Sequence, residues 1–230
     1  MTATTTLRDL AADGARELHD ASASQVIAWA GYTFGSRFAV AASMQDTVLL
    51  HLASSVLPGV DALFLDTGYH FAQTLAVRNQ VEREYAVRVV TLHAAQTVAE
   101  QDVTYGERLH DRDPDLCCAL RKRHPLDDAL DGYDAWATGL RCSESASRAD
   151  TAVVSFDERR DRIKLAPLAG WSDEQVADYV REHDVIMNPL LSQGYPSIGC
   201  APCTARVALG ADARSGRWVG VDKVECGIHL

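Results

Sequence analysis

Short apolar runs rich in β-branched residues recur along this chain between longer amphipathic stretches, and that alternation limits its fold more than any other feature. It is the pattern of crossover units laid around a parallel sheet. Strands are expected near Arg37–Ser43, Asp61–Asp66, Val87–Leu92 and Tyr133–Thr138, and helices near Asp46–Leu57, His70–Tyr85 and Cys118–Leu130. Another helix is expected over Ser172–His183, where Ser172 and Gln175 have the spacing of a capping box. Residues 1–33 read as one or two helices before the first strand.

After Pro189 the periodicity stops. Gly194, Pro196, Gly199, Pro202, Gly210, Gly216, Gly220 and Gly227 break it, and three of the six cysteines fall in this stretch. The expected organisation is therefore an α/β body over 1–190 and a loop-rich C-terminal segment over 191–230 that folds back on it. A chain of 230 residues suits one large domain with an appendage, at about 150 residues per domain.

With 47% hydrophobic and 23% charged residues the chain is an ordinary globular one, which excludes disorder, collagen and a disulfide miniprotein. Its 22 Lys and Arg against 32 Asp and Glu give a net charge of −10, opposite to the balance of a nonspecific nucleic-acid binder. No run approaches the roughly 18 apolar residues of a membrane span, and the N-terminus lacks a basic start followed by an apolar stretch. A cytoplasmic protein is expected. In a reducing compartment, suggestively spaced cysteines are metal ligands or redox catalysts before they are disulfides.

Open parallel sheets bind ligands beyond the carboxyl ends of their strands. The first expected strand runs into Ala42-Ser43-Met44-Gln45-Asp46-Thr47 and the second ends in Leu65-Asp66-Thr67-Gly68. Either turn could hold an anionic or nucleotide group, or be a simple capped turn. Cys117 and Cys118 are adjacent, and Cys200-Ala201-Pro202-Cys203 is a C-x-x-C. Adjacent cysteines are awkward ligands for one tetrahedral zinc, whereas a cubane iron–sulfur cluster offers each a different iron. Cluster, zinc and reduced thiols all stay open at this point. Cys226 lies near the chain end, between Gly220 and Gly227, where a nucleophile could move, though a lone terminal cysteine is often incidental. Basic residues flank the cysteines: Arg121-Lys122-Arg123 follow the pair, Arg141 follows the fourth strand, and Arg206, Arg214 and Arg217 follow the C-x-x-C. Guanidinium forks suit sulfate and phosphate oxygens. Cys142 has no partner spacing.

Taken together, these pieces resemble the assimilatory sulfonucleotide reductases, specifically the cluster-containing adenylylsulfate (APS) branch. The matching runs are Ser43–Thr47, Leu65-Asp66-Thr67-Gly68, Cys117-Cys118 with Arg121-Lys122, Gly139-Leu140-Arg141, Trp171-Ser172, Asn188-Pro189-Leu190, Gly194–Thr204, Arg214–Trp218 and Glu225-Cys226-Gly227-Ile228-His229. The resemblance implies a Rossmann-like, adenine nucleotide α-hydrolase-like fold and reduction of APS to sulfite and AMP by thioredoxin, through an S-sulfocysteine on Cys226. It further implies a 4Fe–4S cluster on Cys117, Cys118, Cys200 and Cys203. Lys122, Arg214 and Arg217 would meet the phosphosulfate, and Ser43, Gln45, Asp46 and Leu65 would surround the adenosine. Arg141 and His229 join the substrate-binding set.

The first turn lacks the two glycines with which pyrophosphatase relatives grip pyrophosphate. Pro114 and Asp115 stand where some relatives have a histidine. Use of the 3′-phosphorylated substrate (PAPS), alone or together with APS, is the rival within the family. A cluster-bearing tRNA thiolation enzyme is opposed by the missing glycines and the acidic charge.

Overall fold

The computed structural model describes residues 5–229. Two helices, α1 (Leu7–Glu17) and α2 (Ala23–Phe34), precede the sheet, each opened by a complete capping box from Thr6 with Asp9 and from Ser22 with Gln25. The chain then alternates as β1 (Phe38–Ala42), α3 (Val48–Val56), β2 (Val60–Asp66), α4 (Ala72–Glu84) and β3 (Val87–His93). Three short helices follow, α5 (Val98–Tyr105), α6 (Leu109–Arg112) and α7 (Pro114–Cys118). A π-helical turn over Ala119–Arg123 then leads into α8 (His124–Leu130) and β4 (Ala135–Thr138). The hairpin β5 (Val154–Asp157) and β6 (Arg162–Leu165) and the helix α9 (Asp173–His183) complete the regular elements.

The six strands form one sheet in the order β3-β2-β1-β4-β6-β5, parallel throughout except for β5, which runs antiparallel to β6. Because side chains alternate along a strand, the central strands feed two cores. Phe38 and Val40 of β1, Ala62 and Phe64 of β2, and Ala135 and Ala137 of β4 pack on the face covered by α2 and α3. Ala39, Leu63 and Trp136 point the other way, onto Leu126 and Leu130 of α8. Continuous apolar strands of this kind are the signature of a parallel sheet covered on both sides.

All four expected strands and the α3, α4 and α9 helices are present, and Ser172 and Gln175 form the expected capping box. The single helix expected over Cys118–Leu130 is instead divided by the π-helical turn. The β5–β6 hairpin is an addition, as are α5, α6 and α7. Among the described residues beyond 190 the only helical pieces are the 3₁₀ turns Leu191–Gln193 and Ala201–Cys203, with one bridge pairing Thr204 and Arg217. No described helix is long and apolar enough to cross a membrane.

Candidate active site

The chain runs β1-β2-β3 toward one edge of the sheet and starts β4 on the other side of β1, so the topology reverses between β1 and β4. A crevice opens there, beyond the strands' carboxyl ends. It is a cleft of about 460 Å³, walled by the turns after β1, β2 and β4 and closed by residues 196–200, 213–218 and 225–229. Ser43, Gln45, Asp46, Leu65, Lys122, Arg141, Arg214, Arg217, Cys226 and His229 all line it. The topology thus gathers the sequence-expected residues although they span 187 positions, from 43 to 229.

The first turn is braced from below. Gln45 accepts the Ile198 N–H on its carboxamide oxygen at 2.7 Å, and its backbone carbonyl accepts from Asn188 N at 3.0 Å. Buried Asn188 in turn donates to the Met44 carbonyl and to Thr74. Gln45 and Asn188 therefore tie the chain around residues 188–198 to the turn after β1. Burial holds the Asp46 carboxyl above its ordinary range, with the Val48 amide and the Arg141 charge opposing this only in part.

The cations of the cleft differ in how far their charge is used up. Arg141 donates to Asp173 at 2.6 Å, and Arg148 binds Glu144 and Glu225. Arg214 reaches Glu225 at 3.2 Å and the Val224 carbonyl, and burial lowers its guanidinium from the ordinary value. Among the described residues, Lys122 and Arg217 have no carboxylate partner. Arg217 crosses Gly199 so closely that a Cβ there would lie 2.1 Å from its guanidinium, so any larger residue at 199 would displace the Arg217 side chain. It then stands 4.5 Å over the Trp218 ring. Burial acts to lower the Lys122 ammonium, but Cys200, Cys226 and Cys118 around it prevail and raise it.

The π-helical turn is what aims Lys122 into the cleft while leaving Cys117 and Cys118 buried behind it. Such turns recur at functional sites because they displace a side chain from helical register. Its other cations go elsewhere. Buried Arg121 donates to the Thr67 carbonyl and to Gln101, and Arg123 packs beneath Gly227. Arg206 lies over Tyr195. All three serve structure, outside the cleft.

Cys117, Cys118, Cys200 and Cys203 border one small second cavity, which Lys122 and Cys200 share with the cleft. All are free thiols. Burial, reinforced by the neighbouring cysteines, pushes Cys117 up to about 12 and Cys203 up to about 11. Unpaired buried thiols that face one space are the donor chemistry that metal binding converts to thiolates. Among the described residues, no three His, Cys, Asp or Glu side chains are grouped tightly enough to hold a single ion. Cys142 lies apart, packed with Leu140, Ala166 and Ala169.

The tail enters the cleft in a docked arrangement. Glu225 accepts from Arg148 Nε at 2.8 Å and Nη2 at 2.9 Å, so its carboxyl is held below the ordinary range even though burial pulls the other way. Lys223 is paired with Asp115, two residues before the cysteine pair. The His229 ring is held neutral by burial, with Lys164 and Arg148 adding to the effect. Arg148, which lines the cleft, and Trp136, the core residue against which His229 lies, are neighbours of the site that local sequence reasoning missed. Arg148 meets Glu225 across 77 positions, a pairing that only the fold creates.

A family model described as phosphoadenosine phosphosulfate reductase domain matches residues 37–206. An adenosine 5′-phosphosulfate reductase of Streptomyces coelicolor is 59% identical over 97% of this chain and 94% of its own. One from Mycobacteroides abscessus is 52% identical at the same coverage. Among solved structures, a phosphoadenylyl-sulfate reductase from Candida auris, in a phosphate complex, superposes with a TM-score of 0.72 at 29% identity, covering 86% of this chain and 96% of its own. An FMN adenylyltransferase from Candida glabrata (TM-score 0.55, 13% identity) shares the fold.

Proposed function

The chain belongs to the phosphoadenosine phosphosulfate reductase domain family, and from that premise we propose that it is an APS reductase, reducing adenosine 5′-phosphosulfate to sulfite and AMP. The observation that carries this reading is the meeting of Cys226, Lys122, Arg214 and Arg217 in one cleft at the sheet's topological reversal. In it, residues 1–190 bind the nucleotide and residues 191–230 bring the reactive thiol.

The Cys226 sulfur attacks the sulfur of the bound sulfate. The S–O bond to the phosphate breaks, its electron pair leaves with AMP, and an S-sulfocysteine remains. Splitting the reaction in this way replaces one difficult step with two easier ones. Lys122 and Arg217, whose charges are least committed, meet the phosphosulfate oxygens and the charge that grows on the leaving phosphate. Arg214 assists, and Arg141 and His229 complete the anion side. Ser43, Gln45, Asp46 and Leu65 form the adenosine side.

A thiolate of reduced thioredoxin then attacks the Cys226 sulfur and expels sulfite, and its second thiol resolves the mixed disulfide. Thioredoxin leaves oxidised, and Cys226 is again a thiol. The two electrons come from that dithiol.

Cys117, Cys118, Cys200 and Cys203 would hold a 4Fe–4S cluster. Four thiols that border one cavity without converging on one point suit a cubane better than a single tetrahedral ion. When bound, the cluster supplies structural cross-linking and a local field beside Lys122.

Intact mass after mixing the purified chain with APS and no reductant tests the reading. The expected result is a gain of one SO₃ unit on the peptide carrying Cys226, and an unmodified Cys226 under single-turnover conditions overturns it. PAPS is the second reading, favoured by the Candida auris neighbour. Turnover on PAPS equal to or above that on APS would select it.

A further inference from the structure

The tail is tied down on both sides of Cys226. One residue before it, Glu225 is gripped by Arg148. Two and three residues after it, Ile228 joins the apolar cluster around Leu126 and Trp136, and the His229 ring lies parallel to the Trp136 indole, 6.0 Å away with 8° between planes. The carbonyl of His229 accepts a hydrogen bond from Lys164 Nζ at 2.9 Å.

Lys164 sits on β6, outside the residues that line the cleft, and no step of the reaction uses it. Its ammonium also stands 5.6 Å from the Trp136 ring centroid, so one charge touches both the seat of the tail and the tail itself. Hydrogen bonds from a charged donor are the stronger ones, and a cation over an indole adds to them. Three residues of extended chain span at most about 10 Å, so fixing the His229 carbonyl confines the Cys226 sulfur to a small volume.

We infer that Lys164 is a positioning residue: its bond to the His229 carbonyl seats the tail and holds Cys226 in the cleft. The catalytic consequence rests on Cys226 being the nucleophile, whereas the seating does not. A single point-charge contact also lets the tail lift when a second reactant must reach its sulfur.

The test is the rate of Cys226 alkylation by iodoacetamide in the full-length, substrate-free protein, read by peptide mass. Lys164→Met is expected to raise it about tenfold, the scale of one hydrogen bond from a charged donor. Lys164→Arg should stay close to the native rate. In Lys164→Met, kcat for sulfite formation falls by more than KM for the nucleotide rises, because Lys164 itself touches no nucleotide and only the His229 contact is loosened. Deleting residues 228–230 removes the acceptor. It should raise labelling similarly, and Lys164→Met should then add nothing.

Unchanged labelling in Lys164→Met overturns the inference, as does an equal further rise in the truncated chain. Should Lys164→Met fail to fold, the truncation decides, and native labelling in it overturns the inference as well. A native chain that shows this labelling contrast yet gains no SO₃ from APS would sink the reductase reading and leave the clamp standing.

Discussion

The sheet buries Phe38, Phe64, Leu63, Ile163 and Trp136 almost completely, whereas across residues 204–229 Trp218 is the one buried large apolar side chain among the described residues. The body is held by continuous two-faced packing, and its parts cannot move singly. The tail is held at separate points, by Glu225 on Arg148, Lys223 on Asp115 and His229 on Trp136. Contacts of that kind open locally at far lower cost than a core. A firmly packed scaffold is thus joined to a segment held by separable contacts, which is what the proposed two-step covalent reaction demands.

Four substitutions or conditions would break or sharpen this contrast. Cys226→Ser is expected to lower sulfite formation by more than about 10³-fold with the melting temperature unchanged, and residual turnover near native would end the assignment of the nucleophile. Trp136→Ala strikes both regions. It should cost about 3–5 kcal/mol in denaturant unfolding and also speed hydrogen exchange in 224–229, because the indole is core to α8 and seat to His229. Arg148→Met should leave the body's stability nearly intact while loosening the tail by about 3 kcal/mol, the scale for breaking one member of a buried pair. Equal loss from both regions in site-resolved exchange would erase the distinction.

The smallest effect concerns pH. His229 is buried with its value depressed, and Lys164, Arg148, Arg160 and Arg214 face it as cations. The docked state therefore binds fewer protons than the free tail. Docking is at full strength above about 6.5, the ordinary histidine value, and weakens as pH falls below it. Protection of the 224–229 amides should fall on acidification through that range, and in His229→Asn this dependence should vanish.

The body was largely legible because apolar periodicity reports burial directly. Strands such as Val60–Asp66 carry an unbroken apolar stretch, here Ala62 to Leu65, and Ser172 with Gln175 announces α9. The β5–β6 hairpin escaped because its strands have four residues each and its turn, Asp157 to Asp161, lacks glycine and places Asp161 itself at φ 54°. At the site, the cysteines and Lys122 could be read from spacing and neighbours. Arg148 and Lys164 could not, since each matters only through a partner 77 or 65 positions away.

The π-helical turn over Ala119–Arg123 also bears on how the chain can change in length. Loops on the surface absorb insertions and deletions, but this turn is a place where residue count is angle. Removing one residue to restore a regular α-helix would rotate all that follows by about 100° relative to Cys117 and Cys118. Either Lys122 would swing out of the cleft, or Leu126 and Leu130 would turn from Trp136. The five residues are thus a fixed-length spacer, in which the number of positions matters to the site as much as the side chains they carry.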